Sequence, residues 1–328
     1  MKRFFLCLTI VLLIVCMGMV VGCTDADDTT PAVEVPETDS TEESVTLLPV
    51  RVGTMATDDL LPLWVAEHEG YLTDAGLDVE IINFQSRLES RAAMTAGEID
   101  AMMTDMIVAA QMTEAEGARA VTVMQTTPAG IIASPDSGIT SLPELAGVPV
   151  GNNVASILEF ILDKALTDAG VDSDDIVIET IEKLPVRLEM LMNNQLSAAV
   201  LPWTLFQLAE MQGATALLDE ETARDYTSTV LVFSEGFLAD AAAPATVDAL
   251  LAEWDRAVAA INADSDAYRE LLIEKANLPE PLRETYVIRQ YPKTGSPSQE
   301  QFDAVHTWMI EKGYLEGPIP YNEFVYER

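Results

Sequence analysis

An order of predicted strands and helices that occurs twice constrains the fold of this chain most strongly. Each half has an apolar run of strand length, a segment of helical periodicity, the letters Thr-Asp-Ala-Gly, a strand, a helix and a further strand. The four letters occupy 73–76 and again 167–170, a spacing of 94 residues. Glycine is common after helices, so the shared order of elements carries more weight than the letters. Because crossover helices join parallel strands, we predict two related α/β lobes, each with a mostly parallel sheet flanked by helices.

The individual elements are predicted from periodicity and from helix-ending glycines. The first half predicts strands at 50–53, 77–84 and 99–103 and helices at 63–73 and 87–96. The second half predicts strands at 148–150, 176–181 and 196–201 and helices at 156–167 and 186–192. A strand at 227–233 then precedes a largely helical tail, in which six apolar residues between Val247 and Ile261 share one face.

The lobes are predicted to be discontinuous in sequence. We expect the strand at 227–233 to return to the first lobe, and the tail to pack there. Lobe 1 then comprises residues 48–128 plus 229–328, and lobe 2 comprises residues 129–228. The two connections, near 125–130 and near 226–230, would form a two-strand hinge that permits closure around a ligand.

The amino-terminal end has the features of a secretory signal peptide over residues 1–22. Lys2 and Arg3 precede an apolar run that ends at Gly22-Cys23. This end resembles the lipobox of lipoprotein precursors, which implies that Cys23 carries the lipid and becomes the first mature residue. An uncleaved membrane anchor is the alternative, since about 18 apolar residues approach the spanning length. Both interpretations place the folded body outside the cytoplasm.

Residues 23–47 are predicted to form a disordered acidic tether after the lipidated cysteine. Asp, Glu, Thr, Ser and Pro dominate this segment, and it contains no Lys or Arg. Such a composition cannot bury enough apolar surface to offset chain ordering, and like charges extend it. The tether would hold the folded body away from the membrane surface.

The overall composition excludes several classes of function. A net charge of −36 argues against nucleic-acid binding and against docking on anionic lipid. Cys7, Cys16 and Cys23 are the only cysteines, so the mature chain has no disulfide and no thiol nucleophile. His68 and His306 are the only histidines, and neither has a second ligand at metal spacing. We expect no metal and no cofactor, and both histidines on helix surfaces.

Candidate ligand-binding residues follow from topology, because open α/β sheets bind ligands beyond the carboxyl ends of their strands. The first lobe and its first connection contribute Thr54, Met55, Thr57, Asp58, Gln85, Ser86, Arg87, Thr104, Asp105, Met106 and Thr126. The second lobe contributes Asn152, Asn153, Ser156, Pro202 and Trp203. Several of these loops begin helices, whose free N–H groups and dipole favour anions.

Five of these positions have specific chemical alternatives. Arg87 is the one cation in the set, and it either clamps an anionic group or begins a helix and points to solvent. Trp203 either stacks on a ligand or packs in the core, and Met106 lies in a group of methionines with the same two alternatives. Asp58 and Asp105 could bind an ammonium group or pair with Arg87.

The order of sequence landmarks resembles the type II periplasmic-binding fold, in the branch of nitrate-, sulfonate-, taurine- and thiamine-precursor-binding lipoproteins of ABC importers. The landmarks include Glu69–Leu72, Ala75–Glu80, Ala96–Ala101, Ile139–Gly147 and Trp308–Gly313, and the resemblance covers about 49–325. It implies a clamshell binding protein that closes by a hinge. Family members often have a small residue where Arg87 stands, so specificity here is expected to differ.

The resemblance also implies partners and a location. We expect an ABC permease and ATPase as partners, a small-molecule ligand (anionic or heteroaromatic), a monomer, and attachment to the extracytoplasmic membrane face through Cys23. The main alternative is a sensor or ligand-presenting protein. An enzyme on the same fold is a further alternative, but the chain offers few catalytic bases or nucleophiles.

Overall fold

The structure is a computed structural model. It describes residues 46–327, except residue 85 and the segments 125–128, 173–174 and 224–225. The predicted signal peptide, Cys23 and most of the predicted tether therefore lie outside the described residues, as do Gln85 and Thr126 of the predicted site. Within the described part of the chain, no helix has both the length and the apolar character needed to cross a membrane.

The strands form two five-stranded sheets. The first half of the chain and the strand before the tail supply β1 Val50–Thr54, β2 Val79–Asn83, β3 Ala101–Asp105, β4 Arg119–Met124 and β10 Thr229–Phe233. The second sheet contains β5 Ala129–Ala133, β6 Pro149–Asn152, β7 Val177–Thr180, β8 Ala198–Pro202 and β9 Thr215–Leu218.

The helices alternate with these strands and then fill the tail. Those up to β10 are α1 Leu61–His68, α2 Tyr71–Asp74, α3 Arg87–Thr95, α4 Met106–Glu116, α5 Ile157–Asp168, α6 Leu184–Met192, α7 Trp203–Met211 and α8 Glu220–Ala223. The remainder are α9 Glu235–Leu238, α10 Ala243–Ala263, α11 Arg269–Lys275, α12 Gln299–Lys312 and α13 Tyr321–Phe324.

The two sheets have the same topology. Their strand orders are β2-β1-β3-β10-β4 and β7-β6-β8-β5-β9, so each strand of the first sheet has a counterpart in the second. In each sheet one strand, β10 or β5, runs antiparallel to its neighbours on both sides. The other strands share one direction, which confirms two mostly parallel sheets.

The Thr-Asp-Ala-Gly repeat has the same geometry in both halves. Gly76 and Gly170 take left-handed conformations, with φ of +74° and +72°. The N–H of Leu77 donates to the carbonyl of Leu72, and that of Val171 to Leu166, each at 2.9 Å. These bonds close the preceding helix and direct the chain into β2 or β7. The repeat is therefore structural, because both copies perform the same helix-to-strand turn.

The strand at 227–233 returns to the first sheet as predicted, and the tail then packs largely beside that sheet. The apolar face of α10, which includes Trp254, Leu250 and Ile261, is fully buried in a core cluster with α1. Helix α12 packs on α4. It also reaches the half that carries the second sheet, because Trp308 lies edge-on to Phe160 of α5 at 5.4 Å. The sequence prediction lacked this second contact.

Among the predicted elements, two differences from the structure have a clear physical reason. The helix predicted at 63–73 is two helices, since Gly70 between α1 and α2 has φ of +77°, which a continuous helix cannot include. The strand predicted at 99–103 lies two residues later, as β3, and Asp105 at its end begins the turn into α4.

Candidate functional site

The carboxyl ends of the parallel strands bring most of the predicted residues to one edge of each sheet. In the first sheet, β1 pairs in register with β2 and β3, which places Thr54 and the end of β3 at the same edge. In the second sheet, β6 pairs with β7 and β8, which places Asn152 and Pro202 at the corresponding edge. These edges are where ligands bind in open α/β folds, so the two groups of loops form the candidate site.

Arg87 and Asp105 lie together at the edge of the first sheet. Asp105 is buried and caps α4, since its Oδ1 accepts hydrogen bonds from the N–H groups of Ile107 at 3.0 Å and Val108 at 3.1 Å. Its Oδ2 accepts from Nη1 of Arg87 at 2.6 Å, while the Arg87 side chain stays 45% exposed. The fixed carboxylate thus orients a guanidinium that keeps donors on its open side.

The start of α3 positions Arg87. Ser86 is the N-cap, and its hydroxyl oxygen accepts from the N–H of Glu89 at 3.3 Å. Arg87 is therefore the first helical residue, beside Asp105 and not projecting into open solvent on its own. Of the alternatives that the sequence leaves open for Asp105, the structure contains the pair with Arg87.

Asp58 belongs to a buried cluster with the tail. Its carboxylate forms an ion pair with Arg289, and its backbone carbonyl accepts from the hydroxyl of Tyr291 at 2.6 Å. Both ion-pair partners are buried. Burial, together with the charge of Asp58, raises the pKa of the Tyr286 hydroxyl in the same cluster. The sequence gives no signal for this cluster, because Asp58 and Arg289 are 231 residues apart.

Asp59 is a second buried carboxylate beside this ion pair. Burial and the charge of Asp58 raise the pKa of Asp59 to about 6, although the hydroxyl of Thr57, which donates to its Oδ1, and the charges of Arg289 and Arg87 act in the opposite direction. Thr57 itself is exposed. Asp59 was absent from the sequence-based set.

Thr54, Met55, Thr104 and Met106 differ in what they can offer a ligand. Thr54 is buried and its hydroxyl donates to the carbonyl of half-buried Met55 at 2.8 Å. Met106 is buried in a hydrophobic core cluster, which agrees with the packing alternative. The hydroxyl oxygen of Thr104 is buried and has no hydrogen-bond partner among the described residues.

In the second sheet, the turn from β6 into α5 holds three predicted residues. Asn152 is buried, donates from Nδ2 to the carbonyl of Leu158 at 3.3 Å and accepts at Oδ1 from the N–H of Asn153 at 2.9 Å. Ser156 caps α5 by accepting from the N–H of Glu159 at 3.3 Å. Asn153 is half-buried at the mouth of the turn.

Trp203 lies between the two halves of the body. It follows half-buried Pro202, stacks on Phe206 with ring centroids 5.1 Å apart, and packs against the α1–α10 core cluster as well as against the cluster around Phe206. Its Nε1 is buried and has no hydrogen-bond partner within the described chain. Trp203 thus combines core packing with a polar atom available to another group.

Arg187 is a further residue that the sequence analysis missed. It lies in the first turn of α6, its side chain is fully buried, and it contacts the ends of β6, β7 and β8 through Asn153, Ile181 and Val200. Burial lowers its pKa to about 10, against the opposing charge of Glu182. One signal was present: Arg187 interrupts an otherwise apolar run, Leu184–Leu188.

The two histidines have different surroundings. His68 is exposed at the end of α1, as predicted. The prediction of a surface position is wrong for His306, which is buried, stacks on Phe302 and accepts from the N–H of Ile319 at 2.8 Å. Burial lowers the pKa of His306. Among the described residues, no three His, Cys, Asp or Glu side chains are grouped as metal ligands would be.

The chain matches one family model over most of the folded body. The model describes NMT1/THI5-like proteins and matches residues 57–267. The chain belongs to the NMT1/THI5-like family. No curated protein sequence matches it.

Solved structures of binding proteins have the same fold as this NMT1/THI5-like chain. The periplasmic aliphatic sulphonate-binding protein SsuA from Escherichia coli is 18% identical, with a TM-score of 0.71 over 85% of this chain and 92% of that one. The alkanesulfonate-binding protein SsuA from Xanthomonas axonopodis pv. citri, bound to MOPS, is 16% identical, with a TM-score of 0.63 over 81% and 92%.

An enzyme also has this fold. The desulfurization enzyme DszB is 15% identical, with a TM-score of 0.60 over 84% of this chain and 96% of the enzyme. These likenesses, together with the two five-stranded sheets, confirm the two-lobed α/β architecture of type II periplasmic-binding proteins that the sequence predicted. The fold alone does not separate binding from catalysis.

Proposed function

We propose that this chain is the extracytoplasmic solute-binding component of an ABC importer. It binds one small solute, anionic or heteroaromatic, between its two lobes and delivers it to a permease and an ATPase. Membership of the NMT1/THI5-like family and the fold shared with sulfonate-binding proteins support this proposal. The lobes would be 48–128 plus 229–328 and 129–228, and they would close about the two connections between them.

The exposed side of Arg87 carries the proposal that the solute is anionic. The chain has a net charge of −36, so an anion is repelled by the protein as a whole and needs a local cation. Arg87 is half exposed while buried Asp105 holds one of its nitrogens. A guanidinium fixed in this way can bind two oxygens of a sulfonate, phosphate or carboxylate in parallel.

The second lobe offers complementary groups. The Nε1 atom of Trp203 is buried and has no hydrogen-bond partner in the described chain, and the same is true of the Thr104 hydroxyl in the first lobe. A buried polar atom without a partner lowers stability, so a bound solute that pairs with these atoms would be favoured. The ring of Trp203 would contact an apolar or aromatic part of the same solute. Together these groups suit an organic anion better than a bare metal ion.

We further propose that binding occurs without turnover. The sequence has no cysteine after Cys23, and both histidines lie away from the strand ends, one exposed on α1 and one buried in the tail. DszB shares the fold, so the proposal needs a direct check. NMR spectra of a bound solute recovered after prolonged incubation should be unchanged, and a new product would establish an enzyme.

The location follows from the proposed role. Residues 1–22 would be removed as a signal peptide, Cys23 would carry the lipid, and 23–47 would tether a monomeric body to the outer face of the cell membrane. Intact-mass analysis of the protein purified from membranes should give a chain that begins at Cys23 with acyl chains attached. A chain that begins at Met1 would support the uncleaved anchor instead.

Calorimetry with sulfonates tests both the function and the role of Arg87. The wild-type protein should bind butane-1-sulfonate, and Arg87→Ala should weaken binding by roughly 1.5 to 3 kcal/mol, because a charged hydrogen-bond donor is lost. Arg91→Ala is the matched control, since it removes the same charge one turn later on α3, where Arg91 contacts Gln111. Equal affinities for the two variants would remove Arg87 from the site.

A further inference from the structure

A fully buried arginine supports the mouth of the candidate site in the second lobe. Nη1 of Arg187 donates to the carbonyl of Val200 at 2.7 Å, and Nε and Nη2 donate to the carbonyl of Ile181 at 3.1 and 2.6 Å. Nη2 also donates to Oδ1 of Asn153 at 3.1 Å. One side chain thus connects the loops after β6 and β7 with the end of β8.

The charge of Arg187 has no counter-charge in direct contact. Among the ion pairs between described residues, none includes Arg187. Its acceptors are backbone carbonyls and a neutral amide, and a pKa near 10 keeps it protonated at neutral pH. Buried charges without a paired ion are costly, and the charge of Glu182, which acts on Arg187 without an ion pair, offsets only part of this cost. A negatively charged group that binds nearby would offset more of it.

The stem of Arg187 is also closely packed. A Cβ on Gly151, in β6, would lie 3.1 Å from Cγ of Arg187, which is tighter than an ordinary side-chain contact. The backbone of β6 therefore approaches the arginine directly, and the guanidinium has little freedom to move away from Asn153.

Arg187 fixes the orientation of the Asn153 amide. Arginine has donors only, so the atom of Asn153 that faces it must be the oxygen, and Nδ2 must face the other way. The other polar groups of Asn153 are already engaged: its N–H donates to Oδ1 of Asn152 at 2.9 Å, and its carbonyl accepts from the hydroxyl of Ser156 at 3.2 Å. Nδ2 has no acceptor among the described residues, and Asn153 is half-buried, not enclosed.

We propose that Arg187 is a positioning residue that aims the amide N–H groups of Asn153 into the candidate site, where they bind an oxygen of an oxyanion. This inference rests on the proposed function and narrows it, because two donors backed by a buried positive charge favour an oxyanion over a neutral heteroaromatic solute. Arg87 in the first lobe and Asn153 in the second would bind the same anionic group.

Asn153→Asp tests this inference because it replaces the donor Nδ2 with an acceptor oxygen and keeps the contact with Arg187. Aspartate still accepts from Nη2, and its negative charge compensates the guanidinium, so the melting temperature should stay the same or rise. Affinity for butane-1-sulfonate and nitrate should fall at least about 100-fold, because two donors become a repelling carboxylate. Asn153→Ala removes the donors without adding a charge, so its affinity for both anions should fall by about 10-fold.

Asn193→Asp is the matched control for the change in net charge. Asn193 is exposed at the other end of α6, where its Nδ2 donates to the carbonyl of Glu189 at 2.9 Å. The Asn193→Asp variant should bind both anions with the affinity of the wild type. Unchanged anion binding by Asn153→Asp, or a lower melting temperature of that variant, would overturn the inference.

The probes separate this inference from the proposed function. Wild-type protein that binds 4-aminopyrimidine but neither butane-1-sulfonate nor nitrate would leave the binding function standing and refute the oxyanion role of Asn153. Wild-type protein that binds none of these three would count against both. Binding of either anion, with the expected order of wild type, Asn153→Ala and Asn153→Asp, would support both.

Discussion

At the level of single residues, the edge of the first sheet contains two neighbouring buried carboxylates with different surroundings. Asp58 is paired with Arg289, whereas Asp59 accepts a hydrogen bond from the hydroxyl of Thr57. Burial and the charge of Asp58 raise the pKa of Asp59 to about 6, above the value near 3.9 of an unfolded chain. The native state therefore binds more protons at Asp59 than the unfolded state between these two values.

This difference predicts how stability depends on pH. As the pH rises from about 4 to about 6, the contribution of Asp59 to the free energy of unfolding falls, because its buried charge costs energy once it ionises. Asp59→Asn removes that cost, so the variant should be more stable than wild type by about 2 kcal/mol at pH 7.5 and by much less at pH 4. Urea unfolding at both pH values measures the two differences.

Asp74→Asn provides the control for this prediction. Asp74 is exposed at the end of α2, so its substitution changes the net charge by the same amount without altering a buried group. A stability difference between Asp59→Asn and wild type that is equal at pH 4 and pH 7.5 would contradict a raised pKa for Asp59.

Sequence reasoning placed Arg87 and Asp105 in the candidate set because each lies in the loop that follows a predicted strand. It could not identify the Asp58–Arg289 pair, because residues so far apart in sequence meet only through the packing of the tail. It also missed Arg187, whose role depends on three strand ends that converge on it. Local pattern predicts which loops reach a site, but the partners of a buried charge are set by tertiary packing.

At the level of elements, the prediction succeeded where one face of a helix or strand is buried. The apolar face of α10 was identified from its period, and α5 was predicted to within one residue of its ends. Strands β4, β5 and β9 and helices α4 and α7 were not predicted. Helix α4 is buried on most of its sides, so its sequence lacks the alternation of apolar and polar positions that indicates a helix.

The left-handed glycines of the repeat lead to an element-level prediction. A Cβ at Gly170 would contact no neighbouring atom, so the cost of Gly170→Ala arises from its φ of +72° alone. The free energy of unfolding should fall by about 1 kcal/mol. Chemical denaturation with a fixed m-value measures the change.

Gly236→Ala is the matched substitution for this prediction. Gly236 lies in α9, and a Cβ there also meets no neighbouring atom, but its φ is not positive. This variant should be as stable as wild type or more stable by up to about 1 kcal/mol, because alanine favours helix. If the two variants had the same stability, the conformation of Gly170 would carry no energetic weight.

At the level of the whole molecule, the arrangement of strands is of the kind that a hinge between two similar halves requires. Strands β4 and β10 are neighbours in the first sheet, with Met124 paired to Thr229, and β5 and β9 are neighbours in the second. Both connections between the sheets therefore leave from adjacent strands and arrive at adjacent strands. Two connections side by side allow bending about one axis and resist twisting, which suits a hinge.

The contacts of the tail would limit a hinge motion of this kind. Nε1 of Trp308 donates to Asp163 at 2.9 Å, the hydroxyl of Tyr314 donates to Glu159 at 3.0 Å, and Lys312 pairs with Asp163 at 2.8 Å. These bonds join α12 and the turn that follows it to α5. A groove of about 390 Å³ runs between the same two helices, lined by residues that include Lys164, Thr167 and Thr307. Closure would have to rotate about these contacts or break them.

A hinged body predicts a smaller molecule when the solute is bound. Small-angle scattering of the mature protein with saturating butane-1-sulfonate should give a radius of gyration a few per cent below that of the free protein, because strand ends on opposite lobes approach each other. The Arg87→Ala variant at the same sulfonate concentration should keep the profile of the free protein if Arg87 clamps the anion. Identical profiles for free and bound wild type, with binding shown by calorimetry, would mean that the tail contacts hold the lobes at a fixed angle and that recognition occurs without closure.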